Sequence, residues 1–157
     1  MGLFSKGRKN GSGCRLVSNR FMLTFPQGWV DRSIYRFDGP EADGIQHHIT
    51  VNIEQDVAVS DLEKYAQRQI KALETELFGY LELKRGRLTL DNQMSAYELV
   101  YKWQPVKGRE AYQRMVWVLQ DDTGYALTAT FSKKTWKMMA DEIDHVIKSF
   151  TALVPTC

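Results

Sequence analysis

The side chains that could carry chemistry in this chain are three histidines, two cysteines and a few adjacent carboxylates. Metal binding or acid–base work would need them to converge. His47 and His48 are neighbours in an alternating segment, so they point to opposite faces of a strand and cannot easily share a metal. His145 lies beside the apolar stripe of a C-terminal helix. No His-x-x-Glu-His or Cys-x-x-Cys spacing occurs. Cys14 and Cys157 stand near the two ends, without ligand spacing, and read as unpaired thiols. Asp121-Asp122 falls in a turn and Asp141-Glu142 on a helix, where turn preference and a solvated face account for them. There is no Gly-x-Ser-x-Gly elbow. The glycines at 11 and 13 precede a basic arm instead of joining a strand to a helix, so they make no phosphate cradle. The expectation is a protein that is not an enzyme and uses no metal or cofactor.

Two glutamines stand out for a different reason. Gln69 interrupts the apolar stripe of a helix, and Gln113 is flanked by apolar neighbours in a strand. Such groups either pair with nearby backbone or offer a donor and an acceptor to a bound partner. Tyr97, Tyr101 and Trp103 share one face of their strand, and most strand aromatics here read as core.

These side chains are positioned by a chain of 157 residues, which favours one domain with a real core and no need of disulfide staples. Hydrophobic residues make up 43% and charged ones 25%, ordinary for a globular protein. The longest apolar run, Met115 to Leu119, is far short of the roughly 20 residues that span a bilayer. No apolar leader follows Met1, so the cytoplasm is the expected compartment and direct membrane insertion is not expected. The first twenty residues hold five basic side chains and no acid. With +2 for the whole chain, the remainder is net −3. The basic charge therefore belongs to a flexible arm over residues 1–13 and its flank, which argues against a nucleic-acid partner.

The longest helix signal is Ser60 to Gly79. Ser60 and Glu63 match a capping box, Gly79 suits the stop, and Leu62, Ala66, Gln69, Ile70, Leu73 and Leu77 form the stripe. Before it, Phe21–Phe25, Arg32–Phe37 and His47–Gln55 read as strands, with a mobile loop over 38–44. His47, Ile49, Val51 and Ile53 share one face of the third. After it come Leu81–Leu90, Met94–Gln104, Arg109–Gln120 and Tyr125–Phe131, joined by short turns into a four-stranded antiparallel meander. A helix from Lys134 to Phe150 closes the chain, with Asp144 and Lys148 paired on its surface. The class is α+β: a twisted antiparallel sheet of about seven strands with two main helices. Two helices cannot cover both faces of such a sheet, so one face is expected to carry them and part of the other to meet water, a second copy or a client.

Several stretches then resemble the DcrB-like family, of Mog/PsbP-like fold. Phe25-Pro26-Gln27-Gly28-Trp29-Val30-Asp31-Arg32-Ser33 resembles its lPeGWxDrS opening. Tyr65 to Ile70 resembles its YaeRQl helix, Ala111 to Met115 its vyQrq strand, Leu127 to Thr130 its lvlTAta strand, and Ser149-Phe150 its llaSF ending. The likeness covers about residues 20 to 151, and residues 14–157 are taken as one DcrB-like domain.

Within that family, members without a signal sequence are similar to the Eag-type chaperones of bacterial type VI secretion. The resemblance implies a non-catalytic homodimer that binds the N-terminal apolar helices of a secreted effector and holds it soluble for loading on the VgrG/PAAR spike. The alternative is a Mog/DcrB-like binding module with a soluble protein partner; an envelope protein like DcrB itself is disfavoured by the missing signal. A sheet face left bare can bury apolar helix surface at about 25 cal/mol per Å², and polar side chains can imitate interhelical hydrogen bonds. On this reading Gln69 and Gln113 are polar client contacts, and Leu73, Ile34, Ile49 and Val51 apolar ones.

Overall fold

A computed structural model describes residues 3–4, 14–17 and 21–153. The chain divides into two compact units, Met1–Arg32 with Thr151–Cys157, and Ser33–Phe150. In the first, β1 (Leu3–Phe4), β2 (Cys14–Val17) and β3 (Met22–Phe25) form a three-stranded antiparallel sheet. Apart from β1, the basic arm expected over residues 1–13 lies outside the described residues, as does Cys157.

The second unit contains β4 (Ile34–Ala42), β5 (Ile45–Glu54), α1 (Leu62–Glu76), β6 (Leu81–Thr89), β7 (Ser95–Val106), β8 (Arg109–Gln120), β9 (Thr123–Phe131) and α2 (Lys133–Lys148). Its six strands lie in the order β4-β5-β9-β8-β7-β6, every neighbour antiparallel. The α+β class and the β6–β9 meander are as expected.

The expectation that both helices share one face is corrected: they lie on opposite faces. Tyr65, Ala66 and Ile70 of α1 pack with Tyr97, Leu99, Tyr101 and Trp117. Met139, Ile143 and Ile147 of α2 pack with Ala96, Tyr112, Val116 and Phe131. Along β7 and β8 these two sets alternate, so each strand sends apolar side chains both ways. Six consecutive residues of β7, Ala96–Tyr101, are buried. A strand buried on both faces needs cover on both, and one helix goes to each. The helices lie over the central strands, α1 on β7 and β8, α2 on β8 and β9, while β4 and β6 form the two edges.

Local signals moved by a residue or two. The N-cap of α1 is Asp61, whose carboxylate accepts from the Lys64 amide at 2.8 Å, not Ser60. Asp caps as well as Ser does, and it stands one place nearer the first apolar residue. Of the loop expected over 38–44, residues 38–42 are instead strand. A bulge between Asp38 and Glu41 absorbs Gly39-Pro40. The hairpin turns at Asp43-Gly44, both at positive φ (55° and 70°), the pair a tight two-residue turn requires.

Candidate functional site

The six residues expected to meet a client do not converge. Register places Ile49 and Val51 on the α2 face of the sheet and Ile34 and Gln113 on the α1 face. Gln69 and Leu73 belong to α1 itself. Two separate surfaces must therefore be weighed.

On the α1 face Glu54 and Gln113 already have partners, while Tyr80 Oη, Trp103 Nε1 and Trp117 Nε1 of the same cluster are buried without one among the described residues. Glu54, at the end of β5, accepts from Tyr65 Oη at 3.2 Å, Arg68 Nη2 at 3.0 Å and Gln69 Nε2 at 3.3 Å. Burial, then the charge and hydrogen bond of Glu54, push the Tyr65 phenol well above its ordinary range. Gln113 accepts from Tyr101 Oη at 2.5 Å and donates to Thr130 Oγ1 at 3.1 Å. Leu73 packs against the α1 core. Beyond α1, this face of β9 and β5 presents Thr128, Thr130, Thr50 and Asn52, a polar surface.

The α2 face differs. Past α2, β5 presents Ile49, Val51 and Ile53, all half-buried, and the edge strand β4 adds Tyr35 and Phe37. The cross-strand pairs are Tyr35 with Val51 and Phe37 with Ile49. Ile49 touches the α2 core, whereas Val51 and Ile53 belong to neither core cluster. Phe37 is 61% exposed. The result is an apolar strip two strands wide at one edge of the sheet. Tyr35 and Phe37 were legible in the alternation of β4, but the odd spacing between Ile34 and Phe37 puts those two exposed residues on opposite faces, and only Ile34 was singled out.

Two polar networks lie elsewhere on the α2 face, one of them over β6 to β8 beneath α2. Arg114, 7% exposed, reaches Glu98 Oε2 through Nε at 3.1 Å and Asp144 Oδ1 through Nη2 at 2.9 Å. Lys84 closes on Glu98 at 2.5 Å and Lys148 on Asp144 at 2.8 Å. Burial alone would raise the Asp144 carboxyl, but hydrogen bonds from Lys148 and Arg114 outweigh it and hold the group below its ordinary range.

The second network surrounds His47, which is 2% exposed. Its Nδ1 lies 2.9 Å from the Pro40 carbonyl and its Nε2 2.7 Å from Thr135 Oγ1. With a carbonyl at Nδ1, that nitrogen carries the proton. Ser132 Oγ donates to Asp43 Oδ2 at 2.7 Å. Ser, His and Asp are thus present together, yet the hydroxyl turns to the carboxylate and not to the imidazole, so no activated nucleophile results. What the network does is tie the β4–β5 hairpin tip to the start of α2. Among the described residues no group of three or more His, Cys, Asp or Glu is placed to hold a metal, and no helix is long and apolar enough to cross a membrane.

Known folds match this arrangement. Protein PA94 from Pseudomonas aeruginosa aligns with a TM-score of 0.78 at 19% identity, over 92% of this chain and 99% of that one. LpqN of Mycobacterium tuberculosis, involved in cell envelope biogenesis, aligns at 0.50 and 13% identity, over 92% and 74%. The PsbP protein CyanoP from Synechocystis sp. PCC 6803 aligns at 0.49 and 14% identity, over 95% and 98%, too distant to carry an argument. No curated protein sequence matches the chain. At these identities the likenesses speak to the fold alone. The DcrB family pattern matches residues 22–149, spanning β3 through α2, and the chain belongs to the DcrB family.

Proposed function

We propose that this protein is a non-catalytic binding module that shields apolar helices of a secreted protein partner, as a cytoplasmic chaperone loading a type VI effector on its VgrG/PAAR spike. One observation carries the reading: the strip of Tyr35, Phe37, Ile49, Val51 and Ile53 at the β4–β5 edge of the α2 face. A helix meant for a membrane presents apolar surface that water penalises, and an apolar sheet edge removes it at about 25 cal/mol per Å². The site therefore falls on Ile49 and Val51 and gains Tyr35 and Phe37. Gln69, Gln113 and Leu73 hold α1 and its face together.

The test is co-expression with an effector fragment carrying two apolar stretches of about 20 residues near its start. The fragment is expected to stay soluble and co-purify only with this chain. Val51→Lys is expected to abolish capture, while Thr50→Lys, one residue away on the opposite face, leaves it intact. Circular dichroism checks that both variants fold. Capture that survives Val51→Lys and fails with Thr50→Lys would move the site to the α1 face. A partner captured without apolar helices would leave only the binding module.

A further inference from the structure

The two edges of the six-stranded sheet are not alike. β6 carries Lys84, Arg85 and Arg87 and a bulge between Glu82 and Lys84, devices that discourage pairing with another strand. β4 has its bulge only after Asp38. From Ile34 to Asp38 it runs regularly, without proline or lysine, and pairs with β5 alone, so one row of its backbone groups faces outward unused by the sheet. Ile34 is 66% exposed and Phe37 61%.

This open stretch is complementary to itself. Arg36 and Asp38 flank Phe37 on the α1 face, and Arg36 Nε donates to Asp38 Oδ1 at 2.7 Å. If a second β4 runs antiparallel with Phe37 opposite Phe37, each Arg36 falls opposite the other copy's Asp38. The four charges then alternate in sign around a square, and opposite charges directly across a strand pair are stabilising. On the α2 face the same register sets the two Phe37 rings against each other. A shift of one residue, centring the pair on Arg36, would set Arg36 against Arg36.

We infer that β4 is a self-pairing edge, and that two copies join through it about a twofold axis at Phe37 into one continuous twelve-stranded sheet. Family resemblance names a second copy but no surface; Arg36, Phe37 and Asp38 supply one. An axis perpendicular to the sheet keeps the α2 faces on the same side, so the two apolar strips merge. Four adjacent strands at about 4.8 Å spacing make a floor roughly 19 Å wide, enough for one or two helices of about 10 Å diameter. That use of the floor rests on the function proposed above; the pairing does not.

Charge exchange tests the register. By light scattering after size exclusion, at tens of micromolar and moderate salt, the wild-type chain is expected at twice its 18.1 kDa. Arg36→Asp alone and Asp38→Arg alone each put like charges across the axis, and each is expected to run at monomer mass, its self-association weakened about tenfold or more. An equimolar mixture of the two single variants restores opposite charges and is expected to recover the dimer mass, as is Arg36→Asp/Asp38→Arg in one chain. A wild-type monomer, single variants that keep the dimer, or a mixture that fails to pair each overturns the inference. Client capture is read separately by co-purification, so a monomer that still captures its client sinks this pairing and not the proposed function.

Discussion

The hydroxyl of Tyr65 on α1 occupies the space a Cβ on Gly124 of β9 would need. The contact sets how closely α1 can approach the sheet, and Tyr65 uses it to reach Glu54 across the end of β5. Gly124→Ala forces the phenol, 2% exposed, out of a packed seat. The expected cost is about 1–3 kcal/mol of unfolding free energy, read from the urea midpoint. Tyr65→Phe in the same background should recover only part of it, because ring carbons also crowd the position.

The Glu98–Arg114 pair lies between α2 and the sheet with both side chains under a tenth exposed. Arg114→Met strands Glu98 with Lys84 as its one remaining cation and frees Asp144 from a donor. A loss of about 3–5 kcal/mol is expected for that single change. Glu98→Leu/Arg114→Met should be milder than Arg114→Met alone, since no buried charge is left unpaired. A double-mutant cycle by chemical denaturation reads the difference.

Asp144 gives the fold an acid limb. Its native carboxyl titrates below the ordinary value, so the ionised form is the one folding favours. Its stabilising contribution is complete above the unfolded pKa of about 3.9 and is lost as pH falls through the lower native value. Thermal melts between pH 2 and 7 should show the wild type losing stability in that acid window more steeply than Asp144→Asn. Above pH 6 the two curves should run parallel, with the variant lower throughout.

Gln113 discriminates between the two faces. Gln113→Leu deprives the buried Tyr101 hydroxyl of its acceptor, leaving Met115 Sδ at 3.6 Å. A stability loss of about 1–3 kcal/mol is expected, with client capture retained. Capture lost at unchanged stability would instead make Gln113 a client contact and place the site beside α1.

Much of this protein could be read from residue order. The β6–β9 meander was legible because short polar turns leave consecutive strands no choice but to pair antiparallel. Both helices were legible from their stripes, and the opposed side chains of His47 and His48 from strand periodicity. Other features depend on what lies across the sheet. The run Ala96–Tyr101 is apolar on both faces apart from Glu98, and periodicity cannot say where its covering helices go. They went one to each side because both faces of β7 and β8 needed burial. The same distance in sequence hid the partners of Gln69 and Gln113, since Glu54, Tyr101 and Thr130 come to them only through folding. It also hid the proposed site. Ile49 and Val51 stood out by alternation, but that they lie beyond the cover of α2, beside Phe37 on an open edge, follows from strand order, which long-range pairing sets and local pattern does not.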